Sequence, residues 1–234
     1  MIKLLYPDRC PICQEISNGI CCECKKKISY VEEPCCFRCG KPLAEEETEY
    51  CLDCRQYRHV FEQGKSLFLY QDSVRESIHR IKYQNKREYL DTYAREIAEK
   101  MGRDIRKWNA DILIPIPMDR KKMRQRGYNQ AEILAEKLSV YLRLPVGRDV
   151  LKKVRRTCDQ KELTHQQRRS NLKNAFAVNE CVLDSEDCIP WKRVLLIDDV
   201  YTTGSTIDAA SDVLKRYGAE EIYFITICIG EGAS

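Results

Sequence analysis

The sequence contains no long hydrophobic run. Its longest apolar stretches, Val194 to Ile197 and Ile222 to Ile229, are strand-sized, far below the ~20 residues that a membrane-spanning helix requires. The opening Met1-Ile2-Lys3-Leu4-Leu5-Tyr6-Pro7 is too short for a secretory signal. A cytoplasmic protein without membrane insertion is therefore expected. Histidine is scarce as well. His59, His79 and His165 are scattered, and no serine or cysteine elbow accompanies them, which argues against nucleophile–histidine chemistry. No helix-turn-helix pattern occurs either, so a repressor-type DNA reader is set aside. Hydrophobic residues make up 43% of the 234 positions, enough for a packed core and one mid-sized domain plus a small module, or one large domain.

Cysteine, by contrast, is abundant. Ten of the fourteen cysteines precede residue 55, and eight of these form C-x2-C pairs: Cys10/Cys13, Cys21/Cys24, Cys36/Cys39 and Cys51/Cys54. Two thiolates at that spacing share a tight turn, and two such turns complete a tetrahedral zinc shell. A disulfide framework would need an oxidising compartment, for which nothing here speaks. A redox role for one pair leaves the others unexplained, and an iron–sulfur cluster is the alternative metal reading. Eight ligands permit two zinc ions, paired sequentially or crosswise, or one zinc with the remaining pairs bare. Sequential pairing would join 36/39 to 51/54 as a small zinc ribbon. Cys22 and Cys35 remain as substitute ligands, while Cys158, Cys181, Cys188 and Cys228 show no ligand spacing. So short a stretch buries too little apolar surface to fold alone, and the metal replaces a core. Residues 1–60 are expected to be the zinc module and 61–234 the main domain. The first 54 residues carry 7 Lys/Arg against 10 Asp/Glu. That balance favours a structural or partner-docking role over phosphate contacts, although Lys25-Lys26-Lys27 is a small basic spot.

Beyond Cys54 the periodicity is that of an α/β domain. Strands are expected at Ser66–Tyr70, Asp111–Pro117, Val150–Val154, Ala175–Val178, Val194–Val200 and Ile222–Ile229. Helical spacing marks 87–107, 130–142 and 206–217, the last stopped by Gly218. Strand, helix and strand over 194–229 form a βαβ unit, which implies parallel pairing. Lys82, after a short helix, is expected within reach of the site that follows.

That site is the turn Ile197-Asp198-Asp199-Val200-Tyr201-Thr202-Thr203-Gly204-Ser205-Thr206. Two carboxylates end a buried strand, at the carboxyl edge where open α/β sheets bind ligands. Small hydroxylated residues and a glycine then run into a helix N-terminus, whose amides and dipole can cradle a phosphate. Acids for ring hydroxyls beside a phosphate cradle suit a sugar phosphate. The stretch resembles the phosphoribosyl-pyrophosphate (PRPP) motif of type I phosphoribosyltransferases. It departs from that motif at Tyr201, where an aliphatic residue is usual, and at Thr202, where purine-type enzymes often carry an aspartate base.

Pro115-Ile116-Pro117 with Arg120, Arg124, Arg126, Gly127, Tyr128, Asn129 and Gln130, then Arg156-Thr157, Gln160 and Leu163, then Arg168, Asn171 and Phe176 extend the likeness. The ordered set, with the four cysteine pairs, resembles the ComF competence family. The resemblance implies a parallel-sheet phosphoribosyltransferase-like domain behind an N-terminal zinc module. It also implies a role in DNA uptake during natural transformation, with uptake or recombination proteins as partners. Asp198 and Asp199 would hold the ribose hydroxyls, one through Mg²⁺; Thr202 to Thr206 would bind the 5-phosphate, and Arg120 would face the pyrophosphate. Arg155 to Asn171, which includes His165, would be a loop closing over the site. The alternative is an active phosphoribosyltransferase with an unidentified nucleobase-like acceptor, unrelated to competence.

Residues 120–173 carry 16 Lys/Arg against 5 Asp/Glu. Such an excess can neutralise PRPP, coat a solvated surface or track a nucleic-acid backbone. It exceeds what one small ligand needs. Arg124, Arg126, Arg155, Arg156 and Arg168 are the candidates for single-stranded DNA, with Tyr128 and Tyr141 as candidate stacking surfaces.

Overall fold

The protein is described by a computed structural model covering residues 7–154, 174–184 and 188–230. Four strands form one all-parallel sheet in the order β1 (Gln63–Leu69), β6 (Glu221–Ile229), β5 (Arg193–Tyr201), β2 (Ile112–Pro115). β3 (Leu151–Lys153) and β4 (Phe176–Val178) pair antiparallel as a separate ribbon. The expected closing segment Arg155–Asn171, with Arg155, Arg156, Cys158, His165 and Arg168, lies outside the described residues. The main helices are α3 (Asp72–Tyr83), α4 (Tyr89–Lys107), α6 (Gln130–Leu142) and α7 (Ser205–Arg216).

The central strands have no polar face because helices cover both sides. On β5, Leu195 and Ile197 point into one apolar cluster with α3, α4 and α6. Val194 and Leu196 point into the other, with α7 and the β3–β4 ribbon. β6 divides likewise, Ile225 and Ile227 against Ile222 and Phe224, as the two-residue period of a strand demands. Each of these side chains is 0% exposed, and full burial of one contributes about 1.5–3 kcal/mol.

The cysteine-rich front is built into this core. It includes two short helices, α1 (Cys22–Lys25) and α2 (Leu52–Gln56). Cys10, Ile12, Ile20, Cys24 and Ile28 join the first apolar cluster, and Cys36, Cys39 and Phe61 the second. The front also lines the outer edge of β1. Val31 donates its amide to Leu67 O at 3.0 Å, Leu69 donates to Ser29 O at 2.9 Å, and Gly64 donates to Arg38 O at 2.8 Å. A covered edge cannot template pairing with another chain.

Two local features shape the ligand end of the sheet. Gly64 pairs with Phe224 across β1 and β6, and a Cβ there would lie 1.9 Å from the Phe224 ring. The missing side chain lets Phe224 lie flat under Tyr201, at 4.7 Å and 4°, with Phe61 edge-on at 4.9 Å. Tyr201, 2% exposed, is thus the floor beneath the loop, which accounts for an aromatic where an aliphatic is usual. The second feature is α5 (Arg120–Arg126), a helix that no hydrophobic periodicity marks. Asp119 caps it by accepting from the Lys121 amide at 2.8 Å, and no residue in it is buried.

Candidate functional site

Pro115 of β2 pairs with Ile197 of β5, so β2 ends one residue short of Asp198. Leu69 of β1, Ile229 of β6 and Tyr201 of β5 end level with one another. Asp198 and Asp199 therefore sit in a notch at the carboxyl edge, between the chain leaving β2 and the mouth of the loop. The Asp199 amide donates to Asp198 Oδ1 at 2.8 Å, and Asp199 is 6% exposed. Lys82, on the last turn of α3, places its ammonium against Asp199 Oδ2. The expectation for Lys82 holds, with the difference that Lys82 lies within the helix.

Two adjacent carboxylates and one ammonium settle unequally. Burial, and next the Asp199 carboxylate, push Asp198 up to about 8. Burial acts on Asp199 in the same direction, but the Lys82 ammonium overrides it and holds Asp199 below the usual carboxylate range. Lys82 is raised in turn: burial opposes its charge, and Asp199 more than compensates. The notch thus offers one ionised carboxylate with a cation beside one carboxyl that keeps its proton until a stronger cation displaces it. That donor set fits a hard divalent ion such as Mg²⁺. Two further groups bear on it. Arg126 acts electrostatically on Asp199, and Lys153, at the end of β3, is coupled to Asp198, Asp119 and Lys122. Burial, then Lys122, lower Lys153. Lys153 escaped sequence reasoning, since nothing near it in the chain marks it.

The loop after β5 runs directly into α7 and is the candidate phosphate cradle. Gly204 takes φ +76° and caps α7, which has no side-chain cap hydrogen bond of its own. Thr203 Oγ1 and Ser205 Oγ, both buried, hydrogen-bond each other at 2.7 Å. Thr202 and Thr206 are partly exposed on either side. Behind the loop, His59 Nδ1 pairs with Asp208 Oδ2 at 2.8 Å, and the Val60 amide donates to Asp208 Oδ1 at 2.9 Å. The end of the cysteine-rich front thereby clamps the helix that carries the cradle.

The arginines separate. Arg120 and Arg124 are exposed on α5. Arg126 turns inward, donates to Gln130 Oε1 and lies over the Tyr83 ring, 5.4 Å from its centroid. The two tyrosines proposed for stacking need correction in one case. Tyr128 is 8% exposed and donates its hydroxyl to Ile81 O, so it is a strut between α3 and the segment before α6. Tyr141 is 41% exposed near the end of α6.

The eight expected metal ligands form two clusters, Cys10/Cys13/Cys21/Cys24 and Cys36/Cys39/Cys51/Cys54, each with its sulfurs within 4.8 Å of one another. Pairing is sequential, and Cys22 and Cys35 take no part. Cys35 instead donates to Glu32 O at 3.0 Å. Sulfurs ~2.3 Å from a tetrahedral zinc stand roughly 3.8 Å apart. Cys13 to Cys21 is 3.7 Å and Cys39 to Cys51 is 3.6 Å. In the second cluster hydrogen bonds from the other thiols, Cys39 first, pull Cys36 far down, and sharing with Cys36 drives Cys39 far up. A divalent cation in place of those protons removes the conflict.

Comparison with known proteins agrees with both halves. Residues 1–55 match the double zinc ribbon domain family, and residues 87–233 match the phosphoribosyl transferase domain family. Competence protein F of Haemophilus influenzae is 32% identical over 209 residues, covering 88% of each chain. Competence protein ComFC of Bacillus subtilis is 25% identical, over 85% of this chain and 79% of its own. DNA utilization protein YhgH of Escherichia coli K12 is 25% identical over 90% of each.

Proposed function

The chain belongs to the ComF competence family, a double zinc ribbon domain joined to a phosphoribosyl transferase domain, and from that premise we propose that it binds PRPP with Mg²⁺ and handles incoming single-stranded DNA during uptake. One observation carries the reading: Asp198 and Asp199, neutralised in part by Lys82, stand at the mouth of the Thr203-Gly204-Ser205 cradle. Acids followed by such a cradle suit a ligand with a vicinal diol at one end and a phosphate at the other.

In this reading the amides and hydroxyls of Thr202 to Thr206 hold the 5-phosphate at the N-terminus of α7. Asp198 and Asp199 take the ribose hydroxyls and a Mg²⁺, which when bound would spread the charge of the pyrophosphate. Asp198 would there release to solvent the proton it retains in the free site. Arg120, Arg126 and Lys153 supply further cations around the notch, and stabilisation of a leaving pyrophosphate would come from such preplaced charge. Thr202 offers no carboxylate base, which favours ligand sensing and DNA handling over base transfer. The two zinc ions serve structure: each ribbon packs on its own face of the sheet, and the second reaches the cradle through His59 and Asp208. The proposed division between residues 60 and 61 places His59 and Phe61 at the seam.

The test measures pyrophosphate release from PRPP with Mg²⁺, with and without single-stranded DNA, together with PRPP binding by calorimetry. The blank is the Asp198→Asn/Asp199→Asn variant. Binding without release, lost in the blank, fits the sensing and handling role. Release that depends on DNA fits a transferase acting during uptake. Equal PRPP affinity in wild type and blank would overturn the site.

A further inference from the structure

Helix α3 ends on a side chain that the sugar-phosphate site does not use. Tyr83 follows Lys82 directly and keeps 59% of its surface exposed. Its position is nevertheless fixed. His79, one turn back, lies 4.7 Å from it with the rings tilted 39°. The Arg126 guanidinium sits 5.4 Å over the ring and is itself held by Gln130. Three planar groups thus make a braced, largely uncovered surface whose backbone adjoins the Lys82–Asp199 pair.

The charge beside it says what kind of ligand suits that surface. Helix α5 carries Arg120, Lys121, Lys122, Arg124 and Arg126 in seven residues, contains no acid, and buries none of its side chains. A free nucleobase is uncharged and gains nothing from such a row. The phosphate of a sugar phosphate already has the cradle. A polyanion bearing flat bases uses both features at once, its phosphates along α5 and one base on Tyr83. Stacking engages the π-face that every base has, so this contact is tolerant of sequence.

We propose that Tyr83, braced by His79 and Arg126, stacks an unpaired base of a single nucleic-acid strand whose backbone follows α5. The inference rests on the DNA-handling reading above and names the part of the site that holds the strand.

The experiment uses the full, zinc-loaded chain and fluorescence anisotropy with labelled dT15 and an abasic backbone of equal length. Wild type, Tyr83→Ala and Tyr83→Phe are compared, with free thymidine as competitor and PRPP binding measured alongside. Tyr83→Ala should lose about tenfold or more in affinity for dT15 and nothing for the abasic strand, with PRPP affinity unchanged. Tyr83→Phe, which keeps the ring, should bind as wild type does. Thymidine should displace the strand only at far higher concentration than unlabelled dT15. Undiminished dT15 binding by Tyr83→Ala overturns the proposal, as does equal loss on both strands or a joint loss of PRPP binding. Tyr83→Phe failing with Tyr83→Ala, or thymidine competing on equal terms, overturns it too. A wild type that binds PRPP but neither strand overturns the DNA reading itself, and this proposal with it.

Discussion

Gly204 sets the turn from β5 into α7, and Gly204→Ala tests what that turn requires. An alanine there meets two penalties. Its φ of +76° lies in the left-handed region, which costs an L-residue about 1–2 kcal/mol. Its Cβ would also stand 2.6 Å from the Tyr201 hydroxyl oxygen and 2.8 Å from His59 Cε1. Neither group can step aside cheaply: Tyr201 is 2% exposed and stacked on Phe224, and His59 is 4% exposed and tied to Asp208. Overpacking of this kind costs about 1–3 kcal/mol. Together the penalties reach about 2–5 kcal/mol, a large share of the stability of an ordinary domain. The urea midpoint should fall accordingly, PRPP binding should be lost, and zinc content should be unchanged. Tyr201→Phe removes the oxygen that the methyl group would meet. The Tyr201→Phe/Gly204→Ala double variant should therefore recover ~0.5 kcal/mol or more relative to the sum of the single changes, while the backbone penalty persists. Wild-type stability and PRPP affinity in Gly204→Ala would refute the reasoning. Additivity in the double-mutant cycle within ~0.3 kcal/mol would refute the steric part.

Three further outcomes follow from the geometry. Metal analysis should find two zinc ions per chain, falling to one in Cys13→Ser and to one in Cys51→Ser, because the clusters share no ligand. In metal-free buffer Asp198 should make stability fall as pH rises. Its folded pKa of about 8 exceeds the ordinary ~3.9, so between those values the folded state binds more protons than the unfolded. The slope, at most ~1.4 kcal/mol per pH unit, should vanish in Asp198→Asn when urea midpoints are followed from pH 5.5 to 8. The depressed Asp199 acts in the opposite sense and in a more acid window, since its stabilisation is lost only as pH falls below the usual carboxylate range. Lys82→Met leaves Asp199 buried without its cation. Breaking a fully buried pair costs ~3–5 kcal/mol, and with Lys82 22% exposed about 1–3 is expected. Asp199→Asn in the same chain should restore part of it, and thermal unfolding of the three variants decides.

The elements of the fold were legible in the chain because each is written over a few adjacent residues. The periodicity of 130–142 marked a helix with the observed ends. The aliphatic runs 194–200 and 222–229 marked neighbouring parallel strands. Segment 120–126 was missed because its helix depends on the Asp119 cap and buries none of its residues. Its row of cations carried no hydrophobic period to detect. Tyr128 misled for a related reason, since an aromatic flanked by glycine and asparagine resembles a surface residue until α3 packs over it.

The sequence by itself determined that eight thiols would gather as metal-ligand pairs, that a buried strand would end in two acids, and that a glycine turn into a helix would follow. Spacing and local backbone conformation suffice for each of these. Tertiary structure alone decided which thiols share an ion and that the two clusters join opposite faces of the sheet. It also decided that Lys82 neutralises Asp199, and that His59 clamps Asp208 across 149 positions of chain. These contacts are set by strand register and by the way helices pack on a twisted sheet. Both arise from the whole core at once, and no short segment encodes them.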